Sequence, residues 1–216
     1  MTPPFILGSE FAGVVLQAPS TSKFRSGDRV FGGAQGAFAE NVIVSESNLY
    51  KIPESWNFRD AAGLAATAPV SYGALISRAR LKKGEHVLIH AGAGGLGLMA
   101  IQIAKAVGAT VIATAGSEQK RAIAKRYGAD IAVDYGHDEW WKEVLQATKG
   151  GVNVVYDSVG LVNQSMKCCA PFARILLIGF AGTEGNIEKI AMNRVLLRQV
   201  QIIGYVGYLT ILFSSY

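Results

Sequence analysis

The chain has 216 residues, half of them hydrophobic and 17% charged, with a formal net charge of +5. That length buries a full core in one large domain or parts of two, and that balance excludes a disordered chain. Its 21 Lys and Arg are scattered, with no basic run interleaved with aromatics, so an anionic small molecule suits the charge and nucleic acid does not.

The first stretch, 1–65, reads as β-structure. Short runs at 11–16, 29–31 and 37–44 are separated by Gly, Pro, Ser and Asp, with turns predicted at Ser26-Gly27-Asp28 and Gly32-Gly33. A short helix is expected to begin at 60–64 and a longer one to cover 69–80. From residue 86 the rhythm changes to strand and helix in alternation. Strands are predicted near 86–91, 110–115, 131–134, 152–157, 174–179 and 200–204, and helices near 95–107, 117–127, 138–148, 161–170 and 189–198. Ser117 is placed as an N-cap, with Gly108 and Gly128 at helix ends. Val87-Leu88-Ile89 and Ile175-Leu176-Leu177-Ile178 are continuously apolar, as strands covered on both faces must be. The fold class expected is therefore α/β: a six-stranded doubly wound parallel sheet of the Rossmann type over 66–204. Residues 205–216 form an apolar tail, and no membrane span is expected because Gln199, Gln201 and glycines interrupt the uncharged stretch after Arg198.

Cys168 and Cys169 are adjacent in sequence. Such neighbours rarely bridge, and two thiols make no Cys-rich zinc site, so a reducing compartment, the cytoplasm, is expected. Met1-Thr2-Pro3-Pro4 shows neither the basic region nor the apolar run of a signal peptide.

The segment carrying most chemistry is Gly92-Ala93-Gly94-Gly95-Leu96-Gly97, between an apolar strand and a helix. In that setting G-x-G-x-x-G has a mechanism. The first glycine is expected to permit a tight turn, the second to admit a pyrophosphate to the backbone, and the third to let helix approach strand. Free N–H groups and the helix dipole then face the phosphates. The end of the second strand selects the dinucleotide, because an acid there bonds the ribose of NAD and repels the phosphate of NADP. Here stand Gly116 and Ser117, with Lys120 one turn later to reach a 2′-phosphate; Glu118 dissents but is free to turn to solvent. The expected cofactor is NADPH.

These residues resemble the zinc-independent, quinone-oxidoreductase-like (zeta-crystallin-type) branch of the medium-chain dehydrogenases/reductases. The matching segments are Pro4-Phe5-Ile6-Leu7-Gly8-Ser9-Glu10-Phe11-Ala12-Gly13, Gly27-Asp28-Arg29-Val30-Phe31, Gly36-Ala37-Phe38-Ala39-Glu40 and Lys51-Ile52-Pro53. They continue with the stretch 88–108, Ala129-Asp130, Asp134-Tyr135 and Tyr156-Asp157-Ser158-Val159-Gly160. The resemblance implies that 1–65 is an incomplete GroES-like β domain of a split catalytic domain, packed against the Rossmann domain with the active site in the cleft. It implies NADPH-dependent reduction of quinones or conjugated carbonyls, with enoyl-thioester reduction as the alternative substrate class. It also implies that Gly116, Lys120 and Tyr135 contact the adenosine end, and that Ser158, Val159 and Gly179-Phe180-Ala181 face the nicotinamide. A homodimer through the sixth-strand edge of the Rossmann sheet is implied as well.

Zinc-using relatives carry His-Glu where this chain has Ser9-Glu10, and a cysteine where it has 65–69, so no metal site is expected. No general acid emerges; Tyr72 is expected to pack at the start of a helix. Val70 stands where relatives commonly place a Thr hydroxyl near the nicotinamide. Members of the family extend beyond this chain at both ends, so it reads as truncated, with turnover expected to be weak or lost. The alternative reading is a non-catalytic NADPH-binding protein.

Overall fold

The computed structural model describes residues 4–182 and 188–207, and the chain divides into two compact units, Met1–Pro69 and Val70–Tyr216. In the first, β1 (Glu10–Val14), β2 (Arg29–Gly33) and β3 (Leu49–Lys51) form an antiparallel sheet in that order. Glu10 pairs with Gly33 and Val30 with Lys51. The Gly32-Gly33 pair is strand, not turn: a Cβ on Gly32 would run into the Asn48 carbonyl, so the glycine is needed for close approach. Nor is 37–44 a strand; it pairs in neither sheet, and its Phe38 and Ile43 are exposed. Helix α1 (Phe58–Ala62) starts at Asn57, whose side chain accepts the Asp60 N–H at 2.8 Å.

After α2 (Thr67–Tyr72) comes a six-residue π-helical stretch, Gly73–Arg78, closed by the Ala79 N–H on the Ala74 carbonyl. Tyr72 ends α2 and is more than half exposed, so it does not pack at a helix start. The second unit then alternates: β4 (His86–Ile89), α3 (Gly95–Val107), β5 (Thr110–Thr114), α4 (Glu118–Arg126), β6 (Ile131–Val133), α5 (Trp141–Thr148), β7 (Val152–Asp157), α6 (Val162–Ser165), β8 (Cys169–Leu177), α7 (Met192–Arg198) and β9 (Gln201–Gly204). The strands run parallel in the order β6-β5-β4-β7-β8-β9. Strand β4 has β5 on one side and β7 on the other, which is the topological switch of a doubly wound sheet. Residues 161–170 are not one helix. α6 stops at Ser165 because β8 already begins at Cys169.

Both faces of the central strands are covered. Val87, Ile89, Val111, Ala113 and Val154 pack with Ala100, Ile101 and Ala104 of α3, while Leu88, Ile112, Val155 and Ile175 pack with Val144 of α5 and Val162 of α6. That two-sided burial is why the strands read as unbroken apolar runs. Gly108 ends α3 in the left-handed conformation at φ +86, and Ser117 caps α4 by accepting the Lys120 N–H, both as the sequence suggests. No helix among the described residues is long and apolar enough to cross a membrane.

Candidate functional site

Parallel strands present their carboxyl ends on one side of the sheet, and five consecutive ends carry the residues singled out above. Tyr135 follows β6; Gly116, Ser117 and Lys120 follow β5; Gly92–Gly97 follows β4; Ser158 and Val159 follow β7; Gly179, Phe180 and Ala181 follow β8. At about 4.8 Å per strand they form a row of roughly 20 Å.

The glycine turn is built differently from expectation. Its left-handed residue is Ala91, at φ +50, whereas Gly92 is not left-handed. Gly92 is required because a Cβ there would lie 2.7 Å from the Ala113 methyl of β5. Its N–H bonds the Thr114 carbonyl at 2.9 Å, and the Gly94 N–H closes the turn on the Ala91 carbonyl at 2.8 Å. Gly97 does what the motif asks, since a Cβ on it would meet the Ala91 carbonyl and stand 2.8 Å from the Gly92 Cα. Gly94 and Gly95 are exposed at the start of α3. No backbone acceptor is found among the described residues for the N–H groups of Gly95, Leu96 and Gly97, as the first turn of a helix requires.

At the end of β5, Gly116 lies under the Tyr135 ring: a Cβ on it would sit 2.9 Å from the tyrosine hydroxyl. Ser117 Oγ accepts the Lys120 N–H at 3.3 Å, which leaves its own hydrogen available to donate. Lys120 is exposed and has no ion-pair partner among the described residues. Arg121, the neighbouring cation, is bound to Asp134 at 2.5 Å. The basic charge left at this turn is therefore that of Lys120.

On the other side of β4 two turns are sewn together. The Ile178 N–H bonds the Asp157 carbonyl at 2.7 Å, the Ala181 N–H the Ser158 carbonyl at 3.2 Å, and the Gly182 N–H the Val159 carbonyl at 3.0 Å. A Cβ on Gly179 would lie 3.2 Å from the Ser158 carbonyl. Underneath, the fully buried Asp157 side chain accepts the N–H groups of Val159, Gly160 and Leu161 at 2.7–2.9 Å and so fixes the turn after β7. Sequence reading passed over this role. The signal was there: an acid at the end of an apolar strand, followed by Ser-Val-Gly.

Three more polar side chains, His90, Thr114 and Ser165, are completely buried beside it. Burial pushes the His90 imidazole below its ordinary value, against the opposing pull of Asp157. Burial likewise holds the Tyr156 phenol up at about 12 while its hydroxyl meets Ser71 Oγ at 3.0 Å. The thiols of Cys168 and Cys169 are free, buried and pushed upward, so neither offers a thiolate.

In the first unit the Glu10 carboxylate accepts the Ala66 N–H at 2.7 Å, bringing Ser9-Glu10 to the 65–69 segment. Neither stretch contains His or Cys. No group of three or more His, Cys, Asp or Glu able to hold a metal occurs among the described residues.

Sheet order and glycine turn define a doubly wound unit of the Rossmann type, preceded by a small antiparallel unit. A family model described as zinc-binding dehydrogenase matches residues 95–215, and one described as alcohol dehydrogenase GroES-like domain matches residues 1–54. The chain belongs to the medium-chain dehydrogenase/reductase family. Quinone oxidoreductase-like protein 2 of Mus musculus is 40% identical over 211 residues, covering 93% of this chain. The chain spans 59% of that relative's length. Escherichia coli quinone oxidoreductase complexed with NADPH superposes with a TM-score of 0.83 at 28% identity, over 95% of this chain and 65% of that one. An NAD-dependent alcohol dehydrogenase superposes at 0.88 with 30% identity, over 94% of this chain and 68% of that one.

Proposed function

We propose that the row of strand ends binds NADPH in preference to NADH, and that the protein reduces quinones or other conjugated carbonyls without zinc. The residues fit the dinucleotide: Gly94 and Gly95 are exposed at the start of α3, and the N–H groups of Gly95, Leu96 and Gly97 have no backbone acceptor among the described residues. The pyrophosphate is held by the N–H groups at the start of α3, with Gly92, Ala93, Gly94, Gly95, Leu96 and Gly97 around it. Gly116, Ser117, Lys120 and Tyr135 hold the adenosine phosphate end; Ser158, Val159, Gly179, Phe180 and Ala181 flank the nicotinamide. The bound cofactor supplies the reducing equivalent. The chain's own part is to position it and exclude water, and a conjugated acceptor suits a site without a Lewis acid because it is already electrophilic.

One observation carries the choice of NADPH: the turn after β5 holds no acid at Gly116-Ser117, and Lys120 stands beside it with its charge uncommitted. Titration followed by cofactor fluorescence tests it. Lys120→Glu is expected to weaken NADPH binding at least about tenfold, as loss and reversal of a charge-assisted contact should, while NADH binding changes little. Equal loss for both cofactors rejects the assignment. Steady-state oxidation of NADPH with a simple quinone then decides turnover, and binding without turnover favours the non-catalytic reading.

The same reading includes a homodimer through the β9 edge. It is supported by the position of β9 at the sheet margin and by Met192, Leu196 and Leu197 of α7, each at least 66% exposed. A cytoplasmic, reducing setting accords with the two free cysteines.

A further inference from the structure

Thr114 and Ser165 belong to two different elements and His90 follows a third, and each stands next to a turn of the proposed cradle. Thr114 ends β5, directly ahead of Ala115-Gly116-Ser117, and His90 follows β4, directly ahead of Ala91–Gly97. Ser165 closes α6 and reaches back to the Leu161 carbonyl at 2.7 Å, while the Leu161 N–H is held by Asp157 below the turn that carries Ser158 and Val159. The imidazole joins the other two: Nδ1 lies 3.0 Å from Thr114 Oγ1 and Nε2 lies 2.7 Å from Ser165 Oγ. The Trp140 ring meets it edge-on at 5.3 Å.

The proton positions follow from counting hydrogens. Ser165 has one hydroxyl hydrogen and directs it to the Leu161 carbonyl, so its oxygen must accept from His90. His90 therefore carries its proton on Nε2. In the neutral ring Nδ1 is then an acceptor, and Thr114 donates to it. The chain of bonds runs in one direction, from the Thr114 hydroxyl through the imidazole and Ser165 to the Leu161 carbonyl.

We propose that His90, as the neutral Nε2–H tautomer, is a positioning residue that holds the turns after β5, β4 and β7 in mutual register for the dinucleotide. It touches no cofactor atom in this role. The inference rests on reading those turns as the dinucleotide cradle. A side chain that only filled the core would need no donor on Thr114; this one does.

Thr114→Val keeps the shape and removes the donor, whereas Thr114→Ser keeps the donor. In fluorescence titrations of the full chain, Thr114→Val is expected to raise the Kd for NADPH about fivefold, the loss of one hydrogen bond, with Thr114→Ser staying close to the parent. Adenosine 2′,5′-bisphosphate reaches only the turn after β5, and its affinity is expected to change less. Equal loss for that fragment reduces the effect to a local one and overturns the inference, as does a Thr114→Val protein that binds NADPH as tightly as the parent. Where Thr114→Val does not fold, nitrogen-15 spectra of the unaltered chain still decide. A His90 signal protonated on Nε2 alone is expected, and a ring protonated on Nδ1 or on both nitrogens overturns the proposal. A parent chain that binds neither NADPH nor NADH sinks the dinucleotide reading and this inference together. Binding by the parent with no change in Thr114→Val sinks the inference alone.

Discussion

The two units bury their apolar residues to very different degrees. In Val70–Tyr216 the sheet strands are packed on both faces, with Val87, Leu88, Ile89, Val111, Ile112, Val154, Val155, Ile175 and Leu176 wholly inaccessible. In Met1–Pro69 the buried apolar residues among those described are Phe24, Val30, Ile52 and Ala61, while Phe5, Ile6, Leu7, Leu16, Phe38 and Ile43 face solvent. Stability in the second unit is thus expected to come from close packing, where every methylene counts; in the first, many apolar side chains contribute little where they stand.

The largest effect that separates the units is a cavity. Ile175→Ala, in the fully buried part of β8 between β7 and β9, should cost about 3 kcal/mol or more, because the surrounding strands cannot collapse into the space. Ile43→Ala should change stability by less than about 0.5 kcal/mol. Urea unfolding of the two variants checks this. Comparable losses would mean that Ile43 is covered in solution and that the contrast between the units is false.

The same contrast explains what was legible in the sequence. Strands buried on both faces announce themselves as apolar runs, and α3 and the sheet elements around it were readable almost to the residue from such runs and their glycine ends. The first unit offered weaker cues. β3 is three residues long, and the short apolar run at 37–44 suggested a strand where the chain pairs with neither sheet. At the candidate site the backbone turns were legible because glycine spacing is local. The scaffold under them was not, since His90, Thr114, Asp157 and Ser165 are brought together by the sheet order and no local pattern joins them. The left-handed Ala91 was hidden for the same reason: contact with Ala113 on the neighbouring strand demands glycine at 92, and the strained angle falls one residue earlier.

Acid should begin to act on the second unit at a higher pH than on the first. All three histidines lie in the second unit, and the fully buried His90 has its pKa depressed by desolvation. Above about pH 6.5 the ring is neutral both folded and unfolded, so it contributes no pH dependence. Below that value the unfolded chain takes up a proton that the folded chain refuses, and stability falls with a slope of at most about 1.4 kcal/mol per pH unit. In the first unit the depressed groups are carboxylates: Asp28, held down by the Arg25 N–H and then by Lys51, and Glu46, held down by the Ser22 hydroxyl. Their contribution is present above the ordinary carboxylate range and is lost only as pH falls into and below it. Hydrogen exchange read segment by segment at pH 7 and pH 5.5 should show loss of protection in the β4, β5 and β7 region and little change in β1 and β2. Uniform loss across both units would remove His90 as the cause.

Backbone strain gives the smallest and most local contrast. Every left-handed residue described in the first unit is glycine, at Gly8, Gly27 and Gly36. The second unit also holds Arg80, Ala91, Glu139, Lys149, Phe172 and Gln199 at positive φ. Lys149 and Gln199 end helices, where one such residue is common. Phe172 is different, an aromatic residue at φ +63 inside β8 with its side chain 64% exposed. The left-handed conformation costs a side-chain-bearing residue about 1–2 kcal/mol, and glycine escapes that cost while losing about 0.5–1 kcal/mol through its freer unfolded chain. Phe172→Gly should therefore raise stability by roughly 0.5–1 kcal/mol, seen as a higher Tm in thermal unfolding. Gly27→Ala in the first unit should do the reverse by a similar amount, since nothing lies within 4 Å of its missing Cβ and only the angle at φ +91 opposes it. If Phe172→Gly instead lowers the Tm, the ring contributes more by packing than its exposure implies, and the strain is held in place by contacts the side chain makes rather than by the sheet around it.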